Sequence, residues 1–157
     1  IQNTFGYCNV REDTIIAGLS MGGFGAIHTA LAYPDTFSSC IALSSALVLY
    51  EIARTGKRKN GVMPEAMVRD VFGNPKDLLQ SEKNPEILYK KLKEEKKKIP
   101  SIYLAIGTED YLYENNQVFR NFLKNEKADF LYEEGPGVHN WTFWNEYLPK
   151  GLEWVLK

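Results

Sequence analysis

Short apolar runs alternate along this chain with longer stretches in which apolar residues recur every three or four positions. Residues 14–19 (Thr14, Ile15, Ile16, Ala17, Gly18, Leu19) have the length and character of a buried strand. Residues 22–33 carry Phe24, Ala26, Ile27, Ala30 and Leu31 and read as a helix, closed at Tyr33 because Pro34 cannot continue it. Residues 38–43 (Ser38, Ser39, Cys40, Ile41, Ala42, Leu43) form a second strand-like run, which completes a strand, helix, strand unit of the kind that builds parallel sheets. A third run covers residues 102–106, ahead of Gly107. A helix follows over residues 113–127, with Val118, Phe119, Phe122 and Leu123 in register, and then a fourth strand at residues 130–132. Residues 143–156 predict a terminal helix that Pro149 and Gly151 are expected to interrupt.

The connection between the second and third strands is of a different kind. Residues 47–99 hold a basic loop at 54–61, a turn at Gly73, Asn74 and Pro75, and a Lys/Glu-rich stretch at 89–98. So long a connection predicts an inserted cap or a functional loop region overhanging a site. The charge run from Lys90 to Lys98 reads as a solvated helix face.

Composition narrows the class without naming it. With 157 residues, 44% of them hydrophobic, the chain can bury one sizeable core, so it makes one α/β domain or a large part of one. Lys and Arg number 19 against 20 Asp and Glu, for a net charge of -1, which leaves no general field to attract nucleic acid or an anionic membrane. No stretch approaches the roughly 20 apolar residues of a membrane-spanning helix. Of the two cysteines, Cys40 lies in an apolar run and predicts a buried free thiol; neither Cys8 nor Cys40 fixes a redox compartment.

The chemistry concentrates at Gly18-Leu19-Ser20-Met21-Gly22-Gly23. A Gly-x-Ser-x-Gly sequence between a strand and a helix predicts a nucleophile elbow, in which a strained turn lifts the serine above the sheet and the glycines on either side leave room for the crossing backbones. A serine hydroxyl needs a base to take its proton, and the base needs a third group to fix its tautomer. The third strand is followed by Gly107-Thr108-Glu109-Asp110, and the fourth by a turn-rich loop, Gly135-Pro136-Gly137-Val138-His139. The order Ser20, Asp110, His139 is that of α/β-hydrolases, with all three at the C-terminal ends of parallel strands. Each has a plainer reading: a turn residue for Ser20, a helix N-cap for Asp110 with Glu109 as its rival for the acid role, a backbone hydrogen bond for His139. Taken together they favour catalysis. His28, on the helix after Ser20, reads as a packed or surface residue.

GLSMGG, the GTEDYLY segment and EEGPGVHNWTFW together resemble the esterase D-like branch of the α/β-hydrolases, which includes tributyrin, feruloyl and acetyl-xylan esterases and S-formylglutathione hydrolases. The resemblance runs from about residue 11 to residue 156, and a histidine followed by Trp141 and Trp144 is its most particular part. It implies a carboxylic-ester hydrolase that uses no metal and no organic cofactor, with Ser20 as nucleophile, His139 as base, Asp110 as orienting acid and the Met21 N–H as an oxyanion donor. The implied substrates are short-chain acyl esters or acetyl and feruloyl esters of carbohydrate. Transfer to another acceptor, as in mycolyltransferase relatives, and a silent carbohydrate-binding module are the competing readings. Trp141, Phe143, Trp144 and residues 111–113 are candidates for a pocket lining, with core packing as the alternative.

Such hydrolases have about eight strands with the elbow after the fifth. Four are found here and the elbow comes at residue 20, so the chain is expected to be the C-terminal portion of the fold. The N-terminal half of the sheet, with the second oxyanion donor, is then supplied by further polypeptide. Partners beyond the substrate and that polypeptide reduce to a possible second copy of the chain.

Overall fold

A computed structural model describes residues 10–58, 63 and 65–157; Cys8 and most of the basic loop's tip lie outside them. Four strands, β1 (Ile15–Leu19), β2 (Ser39–Leu43), β3 (Ser101–Gly107) and β4 (Phe130–Gly135), form one sheet in the order β1-β2-β3-β4, every neighbouring pair parallel. Helices α1 (Met21–Ala32), α2 (Leu49–Thr55), α3 (Glu65–Phe72), α4 (Pro85–Glu94), α5 (Tyr113–Glu126) and α6 (Trp141–Val155) fill the connections and the C-terminal end.

Side chains alternate across a strand, so each strand feeds two cores. On one face Cys40, Ala42, Ile102 and Leu104 meet Ala26, Ile27, Ala30 and Leu31 of α1, Leu88 and Leu92 of α4, and Phe119 and Leu123 of α5. On the other face Ile41, Leu43, Tyr103 and Ala105 meet Phe143, Trp144 and Tyr147 of α6. β2 and most of β3 are therefore buried on both sides, as a parallel sheet requires. β1 is only half buried and Ala17 is exposed, and its outer edge has no strand partner among the described residues.

The 47–99 connection falls into two parts. Its last part, α4, is a crossover helix of the domain's own layer, begun by Asn84, whose side chain accepts from the Glu86 N–H, with Pro85 at the first helical position. Leu88, Tyr89 and Leu92 recur on one face and pin it against α1, so only the opposite, Lys-rich face is solvated. The earlier part behaves differently. α2, α3 and the turn Leu78–Gln80 gather Val48, Leu49, Ile52, Val68, Phe72 and Leu78 into a second cluster, seated on Ile106 and Leu112 at the C-terminal end of β3.

The terminal helix also departs from expectation, because α6 runs unbroken through Pro149 and Gly151. Proline at 149 withdraws one donor from the Asn145 carbonyl, a loss tolerated because residue 145 is exposed to solvent. Gly151 is where the helix presses on the sheet: a Cβ there would lie 2.9 Å from both Ile41 Cγ2 and Tyr103 Cδ1.

Candidate active site

The turn from β1 into α1 puts Ser20 at φ 56°, ψ -120°, a conformation that costs an L-residue energy and is held by its surroundings. Its N–H donates to the Leu43 carbonyl, and its own carbonyl accepts from the N–H groups of Gly23, Phe24 and Ala46, so backbone bonds fix both sides of the peptide. Of the motif glycines, the crowded ones are Gly18, whose Cβ would collide with the Gly22 carbonyl, and Gly23, whose Cβ would lie 2.6 Å from Ser45 Oγ and 3.0 Å from the Leu43 carbonyl. At Gly22 a Cβ would meet open space. The room needed for the crossing is thus at positions 18 and 23, not symmetrically on either side of the serine.

The three distant residues come together at the C-terminal end of the sheet. His139 Nε2 lies 2.9 Å from Ser20 Oγ, and His139 Nδ1 lies 2.8 Å from Asp110 Oδ2. With a carboxylate at Nδ1 and a hydroxyl at Nε2, the neutral imidazole carries its proton on Nδ1 and accepts the Ser20 O–H at Nε2. The Asp110 side chain is fully buried, and its second oxygen accepts from the Leu112 N–H at 2.9 Å, which fixes the carboxylate plane. Such a line can draw the proton from an attacking serine and stabilise the cation that forms.

Glu109, next to Asp110, turns the other way. Its carboxylate accepts from the Gly137 N–H and from Thr108 Oγ, while its own N–H donates 3.0 Å to the Gly137 carbonyl. The Gly137 N–H, ahead of Thr108, holds the Glu109 carboxyl below its ordinary value. Glu109 is therefore a clip that ties the histidine loop to the end of β3. Gly107 lies under the same crossing, where a Cβ would strike the Gly137 carbonyl.

The aromatic candidates divide. Trp144 is only 8% exposed; its indole N–H donates 3.0 Å to Ser44 Oγ, and its ring stands edge-on to His139 with centroids 5.0 Å apart. Trp144 thus stands as a wall behind the imidazole. Trp141 is 63% exposed and packs edge-on against Trp144, and Tyr111 lays an exposed ring 4.7 Å from the His139 centroid. Met21 opens α1, among the amides that have no acceptor within the helix, with its side chain 71% exposed. Phe143 belongs to the core beneath α6. His28 stands apart, bonded to the Glu82 carbonyl at 2.9 Å.

Two supports escape sequence reasoning. Ser44, at φ 45°, receives the Trp144 indole, and buried Asn116 donates to the Ser45 and Leu112 carbonyls, bracing the loop after β2 against the start of α5. Neither sits in a motif, since both act through the geometry of other residues. Among the described residues no group of His, Cys, Asp and Glu is arranged to hold a metal ion, and no helix is long and apolar enough to cross a membrane.

A parallel sheet that brings an elbow serine, a loop histidine and a buried aspartate to one edge defines the serine hydrolases of the α/β type. The chain belongs to the Esterase family, which matches residues 1–155. It is 46% identical over 148 residues to an acetyl esterase of Caldicellulosiruptor saccharolyticus, an alignment spanning 94% of this chain and 56% of that protein. Two Staphylococcus aureus structures superpose on 99% of the chain and 59% of their own length at 27% identity: an S-formylglutathione hydrolase, with TM-score 0.82, and the fluorophosphonate-binding serine hydrolase F with substrate bound, with TM-score 0.84. The chain thus spans little more than half the length of these three relatives.

Proposed function

We propose that this protein is a serine carboxylesterase that hydrolyses short-chain acyl esters, acetyl esters first among them, through an acyl-enzyme. The observation that carries this reading is the unbroken line Asp110, His139, Ser20, with separations of 2.8 and 2.9 Å. The kinship with an acetyl esterase supports the choice of acyl group.

Ser20 Oγ attacks the ester carbonyl while His139 Nε2 takes its proton, and Asp110 steadies the imidazolium through Nδ1–H. The Met21 N–H stabilises the oxyanion that forms. His139 then protonates the departing alkoxide, and water enters by the same route in reverse, releasing the acid and restoring Ser20. A second oxyanion donor comes from further polypeptide along the half-exposed outer edge of β1. Without it the rate falls by about 100- to 1,000-fold, so these residues alone give a slow enzyme. Acetyl and feruloyl esters on carbohydrate are the extended substrate class.

The test is made on the full-length protein. Ser20→Ala is expected to abolish both the hydrolysis of 4-nitrophenyl acetate and the attachment of a fluorophosphonate probe. Persistent turnover or labelling in that variant removes Ser20 from the mechanism.

A further inference from the structure

A cavity of about 760 Å³ opens between α2, the 75–79 turn and the start of α5. Its walls include Tyr50, Arg54, Lys76, Tyr111, Glu114 and Asn115. This volume far exceeds what an acetyl group fills and lies in the range of a small-molecule site. One wall is shared with the catalytic line, because the Tyr111 ring that lines the cavity lies 4.7 Å, centroid to centroid, from His139.

Which end of an ester enters follows from the proton's path. During acylation the Ser20 Oγ to carbon bond forms, the bond from carbon to the alcohol oxygen breaks, and the proton on His139 Nε2 passes to that departing oxygen. The alcohol must therefore lie on the side of the reacting carbon that faces His139, while the oxyanion faces the Met21 N–H. Of the lining residues it is Tyr111 that packs on His139, so the cavity borders the histidine side of the site, the side on which the alcohol departs.

Its charge then narrows the alcohol. The Arg58 and Glu51 side chains in the same wall pair with each other at 2.7 Å. Arg54 and Lys76 have no carboxylate within ion-pair distance among the described residues, and Glu114 is the one other acid in the lining. Two cations against one acid leave an excess of positive charge over flat tyrosine surfaces. We infer that this cavity is the leaving-group subsite, and that it selects esters whose alcohol portion carries a carboxylate, held by Arg54 and Lys76.

The inference rests on the ester-hydrolase reading above, and the experiment keeps the two failures apart. Two substrates share one acetyl group and differ only in the alcohol's charge: 4-acetoxybenzoate and its methyl ester. The kcat/KM of each on the full-length protein is divided by its hydroxide-catalysed rate, which removes intrinsic reactivity. The corrected ratio is expected to favour the carboxylate and to fall about three- to tenfold in Arg54→Gln combined with Lys76→Gln, as expected for a partly solvated ion pair. Raising salt from about 0.02 M to about 0.5 M is expected to shrink the same ratio in the parent. Both side chains are exposed, so folding is preserved, and Arg54→Glu provides a second variant expected to lower the ratio further. A ratio that ignores both charge and salt overturns the inference. So does a preference that follows a carboxylate on the acyl side, read with the hemisuccinate of a neutral phenol. Fluorophosphonate labelling of Ser20 that persists alongside either outcome leaves the hydrolase reading standing; absence of labelling in the parent defeats that reading instead.

Discussion

Gly18 and Gly22 look alike in the sequence, each two residues from Ser20, but they are not alike in space. The side chain that residue 18 lacks would run into the Gly22 carbonyl, whereas the one that residue 22 lacks would point into open space within α1. Gly18→Ala is therefore expected to lower the melting temperature, at a cost of about 1–3 kcal/mol for an overpacked contact. Gly22→Ala is expected to hold or raise it, since alanine in a helix is favoured over glycine by about 0.5–1 kcal/mol. Thermal unfolding of the two variants decides, and equal losses would show that the motif glycines act through something other than backbone crowding. The same contrast of neighbours recurs at Glu109 and Asp110, which sequence cannot rank because both are carboxylates just past β3. The buried member reaches the imidazole and the exposed one reaches the loop backbone.

Elements carry these residues to their places, and the loop between β4 and α6 shows how. His139 lies four residues past the end of β4, and Asn140 caps α6 by accepting from the Phe143 N–H, so the loop is held from the helix side. Glu109 holds it from the sheet side through Gly137. Asp110→Asn is expected to lower kcat about 10³- to 10⁴-fold by favouring the wrong tautomer. Glu109→Ala, which frees the loop without touching the imidazole, is expected to lower it by about tenfold through misplacement. Glu109→Gln keeps an acceptor for Gly137 and is expected to stay near the parent. Steady-state kinetics on the three variants check this, and a larger effect at Glu109 than at Asp110 would transfer the orienting role. The sign with pH follows from the lowered Glu109 carboxyl: the clip is intact above the ordinary value of 4.5 and is lost only as pH falls through the lower folded value.

At the scale of the molecule, the sheet separates two cores, and Cys40 lies at the centre of one, fully buried, with burial pushing its thiol up to about 12. Iodoacetamide at about pH 8.5 is expected to leave Cys40 unmodified in the folded protein and to modify it in denaturant, read by peptide mass; rapid native alkylation would mean that this core opens. An unfolded thiol ionises near its ordinary 9.0 while the folded one keeps its proton to about 12, so raising pH above 9 favours unfolding. The strands, α1, α5 and the chain order of Ser20, Asp110 and His139 were legible in the sequence, because period and turn chemistry are local properties that the backbone must obey. The split of residues 47–99 into a crossover helix and a second cluster was not, since an amphipathic Lys-rich helix looks the same whether its apolar face meets the sheet or caps a site. Pro149 and Gly151 misread for a related reason: a breaker is tolerated where water or a close-packed sheet satisfies what it removes. The sequence by itself determined which groups can do chemistry and in what order they occur. The tertiary structure alone decided that Asp110 and not Glu109 meets the histidine, that Trp144 backs the imidazole, and that a charged cavity opens beside it, because each depends on distances between segments far apart in the chain.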